Sequence, residues 1–321
     1  MNHKILVRQI IKEMVEKKNL RLYGFDWDDN ILRMPTKIYL KSDLGDVIGM
    51  STEDFAEYRH LIGNEPFDYE GDTIVGYDNN PYRDFTSSET FLEDTVEAIK
   101  KDRKSPSFKK FKENLIYANP FSIITARGHS PNVIKKGVKM FIHLVLSPEE
   151  KEEMIENIKR TFEHEEMFSK NFLEKLDDLS PNQLLDFYLD ERGDYYPVSS
   201  KEFGEKFGLE TSGGAANPEH AKKIALADFI SKYDDLIKSG KYINTSLGFS
   251  DDDPRNIKAM VEYVKNELSR MYPEVKFIIY DTSEGGYSKI HIETGNEKEE
   301  SEEELMLESL INRIISKIKS K

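Results

Sequence analysis

The sequence predicts an α/β fold: a Rossmann-like parallel sheet with helices on both faces and long segments inserted between its strands. Three observations carry this. Short, continuously apolar runs alternate with helical patterns, as buried parallel strands do when crossover helices cover both faces. The polar clusters Asp26/Asp28, Thr125 and Asp251/Asp252 each stand just past the end of such a run, where sites form in open parallel sheets. A chain of 321 residues also leaves room for insertions, or for a second domain, beyond the sheet itself.

The elements follow in order. Residues 4–18 read as a helix, with Ile5, Ile10, Ile11, Met14 and Val15 on one stripe. LRLYGF (20–25) suits a buried strand and stops at Asp26, Asp28, Asp29 and Asn30. Residues 37–50 form a hairpin turning at Gly45. Ser51 or Thr52 caps a helix reaching about His60, and Ser87 or Ser88 caps another carrying Phe91, Leu92, Val96 and Ile99. FSIIT (121–125) is the second buried strand. Ser130-Pro131, Ser147-Pro148 and Ser180-Pro181 then open helices, the last two with a capping-box acid or amide three residues on. Residues 131–192 are therefore mainly helical. Asn217-Pro218 starts a helix with Lys222, Ala225, Leu226 and Ile230, and residues 242–249 make a third strand. Asp253-Pro254 caps a helix with Ile257, Met260, Val261 and Val264 on one face. Strands over 275–281 and 289–293 close the pattern.

The chain divides accordingly. A helix (1–19) precedes a core (20–295) with insertions at about 33–118 and 130–217. An acidic linker (296–304) and an amphipathic helix (305–321) follow. Apolar residues on the two terminal helices make them candidate docking elements for a protein partner.

Composition excludes several classes. Without cysteine there is no disulfide framework and no thiolate chemistry. A net charge of −14 argues against coating nucleic acid by charge alone. The N-terminus lacks a secretory apolar region, and the longest apolar run, Met140 to Leu146, is too short for a membrane span. A cytoplasmic location is the expectation.

Strand periodicity puts Asp26 and Asp28 on one side of the chain. Carboxylates that close imply a cation, a shared proton or a salt bridge between them. Asp251 and Asp252 add hard oxygen ligands of the kind magnesium takes. Asp26-x-Asp28-x-Asn30 also fits the start of a calcium loop, but Ile31 stands where that loop needs glycine and Lys37 where it needs glutamate. Gly213-Gly214 lacks the Gly-Lys-Ser/Thr of a Walker loop. Asp253, directly before Pro254, reads as a helix cap rather than a ligand. Arg127 and His129 are secondary candidates for substrate contact.

Four motifs in order, LYGFDWDDNIL, FSIITARG, AKKIALADF and TSLGFSDDDPRN, resemble those of the haloacid dehalogenase (HAD)-like phosphohydrolases. The opening helix, TKIYLKSD and ITARGHSP are similar to bacteriophage members of that family, which would place the protein in a host cytoplasm. The resemblance implies a Mg2+-dependent phosphatase in which Asp26 attacks phosphorus and Asp28 is general acid and base. Thr125 would hydrogen-bond the phosphoryl group and Lys222, or its neighbour Lys223, would neutralise it. Asp26, the carbonyl of Asp28 and Asp251 would hold Mg2+, with Asp252 through water or in the outer shell. Asn30 departs from the Thr or Val usual at its position, and asparagine tolerates unusual backbone angles. The two insertions would be substrate-selecting caps. The substrate would be a phosphorylated small molecule or nucleotide. A polynucleotide end is the alternative, disfavoured by acidic charge, and a non-catalytic binding protein of the same fold is another.

Overall fold

The structure, a computed structural model, describes residues 18–163, 178–209, 217–283 and 285–292. The last terminal helix, the acidic linker, Gly213-Gly214 and the first terminal helix up to residue 17 lie outside these residues; Lys18 and Asn19, expected at the end of that first helix, belong to a strand.

Six strands form the main sheet: β1 (Lys18–Phe25), β6 (Phe121–Thr125), β7 (Gly193–Pro197), β8 (Tyr242–Asp251), β9 (Val275–Asp281) and β10 (Ser288–Ile292). Their spatial order is β10-β9-β8-β1-β6-β7, with β1 at the centre and only β10 antiparallel to its neighbour. From β1 the chain steps outward to β6 and β7, then crosses back to β8 on the other side of β1. That reversal puts a crevice at the carboxyl ends of β1 and β8, where ligands bind in sheets of this kind.

Helices on one face are α2 (Ser88–Lys100), α3 (Phe108–Ile116), α4 (Pro131–Val145), α5 (Pro148–Glu163) and α6 (Pro181–Glu191). The other face carries α7 (Lys201–Phe207), α8 (Pro218–Ser231), α9 (Asp234–Lys238) and α10 (Pro254–Tyr263). The reversal of strand order explains this sorting, because right-handed crossovers in opposite directions cover opposite faces. Side chains of β1 divide between the two cores. Tyr23 and Phe25 join α2 to α6, whereas Leu20 and Leu22 join α8 and α10. Gly24 is small for a reason: a Cβ there would lie 3.1 Å from Phe249 and 3.3 Å from Leu226, so its absence lets α8 pack close to the sheet.

A second, antiparallel sheet has the order β3-β2-β5-β4, from β2 (Lys37–Ser42), β3 (Val47–Ser51), β4 (Phe67–Tyr69) and β5 (Asp72–Tyr77). Helix α1 (Thr52–Tyr58), capped by Ser51, leaves β3 directly. Gly45 turns the β2–β3 hairpin with a positive φ of 89°, and Ile38, Leu40, Met50 and Ile74 give the unit its own small core.

The insertions are smaller than the sequence suggests. Within 33–118, only the stretch through about residue 85 forms a separate unit; Phe91, Ala98, Phe108 and Phe111 of α2 and α3 belong to the main core. Within 130–217, α4, α5 and α6 bury Ile134, Phe141, Ile158 and Leu189 in that same core, and β7 is an edge strand of the main sheet. These helices are crossover connections. Strand β7 (GDYYP) escaped sequence reading because it is short and begins with glycine. A Cβ on Gly193 would come within 2.8 Å of the Leu189 carbonyl oxygen and 2.9 Å of Phe121.

Candidate active site

Strands β1, β6 and β8 deliver their last polar residues to one cavity of about 500 Å³. Asp26, Asp28, Thr125, Lys222 and Asp252 line its floor, and Ile38, Phe55 and Tyr82 from the small sheet and its flanking segments line the opposite wall.

Asp26 follows β1 and is tied to β8 by its backbone N–H, which donates to the Ser250 carbonyl at 3.0 Å. One carboxylate oxygen accepts from the Trp27 N–H at 2.8 Å. The other meets Lys222 Nζ at 2.9 Å. The same ammonium reaches Asp251 Oδ2 at 2.6 Å, so one buried cation bridges the ends of β1 and β8. Lys222 can do this because it stands one helical turn before Leu226, on the face of α8 that packs over Gly24. Its neighbour Lys223 turns instead to the Tyr263 ring, 5.9 Å away. The remaining oxygen of Asp251 accepts from Asn256 Nδ2 at 2.9 Å and from the Asp253 N–H at 3.0 Å. Asp253 caps α10, its side chain accepting from the Arg255 N–H.

Carboxylate oxygens of Asp26, Asp251 and Asp252 lie within 4.8 Å of one another. Burial, opposed by Lys222 and reinforced by Asp251 and Asp28, pushes the Asp26 carboxyl up to about 7. Burial, with Asp251 and Asp26 adding to it, raises Asp252 well above the carboxylate range. Burial works against a charged Lys222, but the Asp251 and Asp26 carboxylates outweigh it and raise its pKa. Among the described residues, six carboxylates and four cations line the cavity. This surplus of acidic groups, offered as hard oxygen donors, fits a divalent cation such as magnesium.

Asp28 belongs to a different group. Its carboxylate turns to Arg127, which donates from Nε at 2.8 Å and from Nη2 at 2.6 Å. Thr125 Oγ1 donates to it at 3.4 Å. Asp28 is expected among the metal ligands through its main chain; its carbonyl accepts from the Asn30 N–H at 2.6 Å and keeps a second lone pair, while its side chain lies outside the carboxylate triad. Arg127 Nη2 also donates to Thr36 Oγ1, and Thr36 to Asp94 Oδ2, each at 2.6 Å. The guanidinium lies 5.0 Å from the Phe85 ring centroid and 4.8 Å from that of Phe91. Arg127, a secondary candidate for substrate contact in the sequence, is the partner of Asp28 in the structure. His129 packs behind it against Phe91, and burial and the Arg127 charge press its pKa down to about 4.

Asn30 supports the loop after β1 through its side chain rather than through an unusual backbone angle. The left-handed residue is Asp29, with φ 52°, and Asn30 is a fully buried hub. Its amide donates to the Asp26 carbonyl at 2.9 Å and to Ser250 Oγ at 2.9 Å. Its oxygen accepts from Ser107 at 2.9 Å and Thr282 at 3.0 Å. A side chain with both donors and an acceptor locks the β1 loop to the ends of β8 and β9. Neither Ser107 nor Thr282 carries a sequence signal that marks it as a partner.

No protein-family model, curated protein or solved structure matches the chain, so the functional reading rests on this geometry.

Proposed function

We propose that the protein is a magnesium-dependent phosphomonoester hydrolase of the HAD-like type, with Asp26 as nucleophile. The observation that carries the reading is the bridge from Lys222 to Asp26 and Asp251 at the switch point of the sheet, beside a carboxylate triad fit for a divalent cation.

In this reading Asp26 attacks phosphorus, forming an aspartyl-phosphate as the ester P–O bond breaks. To give a proton to the departing oxygen, Asp28 must first take one up and release one of its two contacts to Arg127; it later takes a proton from the water that cleaves the intermediate. Thr125 donates to a phosphoryl oxygen, and Lys222 neutralises charge that builds there. Asp26, Asp251 and Asp252 would hold a magnesium ion, which would supply positive charge to keep Asp26 anionic and offset the acidic lining as a phosphate enters. Arg127 fixes the Asp28 carboxylate at the cavity floor. The segment over 37–85 serves as the cap, since it supplies the wall facing these groups.

Brief incubation with radiolabelled acetyl phosphate and Mg2+, followed by acid quench, tests the covalent step. The label is expected on Asp26, and its absence from the native protein or retention in Asp26→Asn would remove this mechanism.

A further inference from the structure

The wall opposite the carboxylates is aromatic, and nothing in the chemistry above uses it. Phe55 of α1, with Tyr82 and Phe85 of the segment after β5, line the cavity while each remains only partly buried. They brace one another edge to face: Phe55 and Tyr82 have centroids 6.1 Å apart at 85°, and Tyr82 and Phe85 6.2 Å apart at 82°. A rigid set of ring faces and edges suits another planar ring, which prefers offset-stacked or edge-to-face contact. The cavity, at about 500 Å³, falls within the range of about 300–1,000 Å³ typical of pockets that hold a whole small molecule.

The cations of the same cavity narrow the class further. Lys222 and Arg127 are held by carboxylates on the floor. On the rim, Arg59 pairs with Asp253 at 3.2 Å, and Arg255 pairs with Asp253 at 3.0 Å and with Glu219 at 3.7 Å. Every cation lining the cavity thus already faces a carboxylate. A strand of nucleic acid needs a track of cations for its successive phosphates, and among the described residues this rim offers no unpaired cation.

Resting on the phosphatase reading, we propose that Phe55, Tyr82 and Phe85 form a ring-binding subsite, and that the substrate is a small phosphomonoester bearing a planar aromatic group, of the nucleoside monophosphate or aryl phosphate kind. The phosphate sits over Asp26 and Thr125, and the ring lies against the aromatic wall.

The test compares adenosine 5′-monophosphate and phenyl phosphate with ribose 5-phosphate and glycerol phosphate, in Mg2+, by kcat/KM and by calorimetric Kd. Aromatic ligands are expected to be favoured by roughly tenfold or more. That ratio should fall toward one in Phe55→Leu and in Tyr82→Leu, with circular dichroism confirming that each variant folds. Equal kcat/KM for the two classes, or a ratio unchanged by both substitutions, overturns the subsite and leaves the phosphatase reading standing. If no ester is cleaved but aromatic compounds still bind selectively, the phosphatase reading fails and the subsite holds. No cleavage and no selectivity overturn both. A single-stranded oligonucleotide with a terminal phosphate that outcompetes the monophosphate would also overturn the assignment to a small substrate.

Discussion

Arg127, without solvent exposure, grips the Asp28 carboxylate through two nitrogens at 2.8 Å and 2.6 Å. The fork fixes both the position and the plane of the group proposed to move the proton. Its second contact, to Thr36, ties that group to the residue directly before β2, where the small antiparallel sheet begins.

Replacing Arg127 by lysine keeps the charge and loses the planar fork. Misplacement of a catalytic group by about 1 Å can cost roughly 100-fold in rate. Arg127→Lys is therefore expected to lower kcat by about that factor with KM little changed. Steady-state kinetics on one substrate measure both, and a rise in KM at constant kcat would instead make Arg127 a substrate-binding residue.

Lys222→Met leaves the buried carboxylates of Asp26 and Asp251 without their shared cation. Removing one partner of a buried ion pair typically costs about 3–5 kcal/mol. Urea denaturation should show a loss of that order without metal. A bound divalent ion stabilises by mass action, about 2.7 kcal/mol at a hundred times its Kd. Millimolar Mg2+ should therefore recover part of the loss, and should raise the native Tm in a way that Asp251→Asn and Asp252→Asn diminish.

Asn30→Ala removes a hub with two donor contacts to Asp26 and Ser250 and two acceptor contacts from Ser107 and Thr282. Leaving buried groups unpaired costs about 1–3 kcal/mol each, though the losses do not simply add. A destabilisation of about 3 kcal/mol or more is expected by chemical denaturation. Asn30→Thr, the residue usual in the resembled family, cannot satisfy all these partners and should recover only part of it.

His129 gives a pH dependence of stability whose sign follows from its lowered pKa. In the unfolded chain it titrates near 6.5, but burial, with Arg127 close by, holds the folded-state value at about 4. Between these values the unfolded state binds the additional proton, so stability is full above about 6.5 and declines as pH falls toward 4. The decline attributable to this group is about 3 kcal/mol. His129→Gln should flatten that segment of the stability profile measured by urea titration.

The parallel sheet was legible because its strands are apolar on both faces and its helices announce themselves through Ser-Pro, Asn-Pro and Asp-Pro starts. Lys222 was legible only by analogy. The packing of α8 over Gly24 separates it from Lys223, and that packing leaves no mark on the local sequence. The same limit hid the core membership of α4, α5 and α6. An amphipathic helix shows that it buries a face, but not whether it buries it on a cap or on the main sheet. Arg127 carried a signal that could have been used: it stands two residues past Thr125, where a side chain can return to the same strand ends.

The most direct test of the account is phosphate release from an aryl phosphate, followed with and without Mg2+, in the native protein and in Asp26→Asn. The account predicts release that requires the metal and disappears in the variant. Metal-independent release, or release that survives Asp26→Asn, would contradict it.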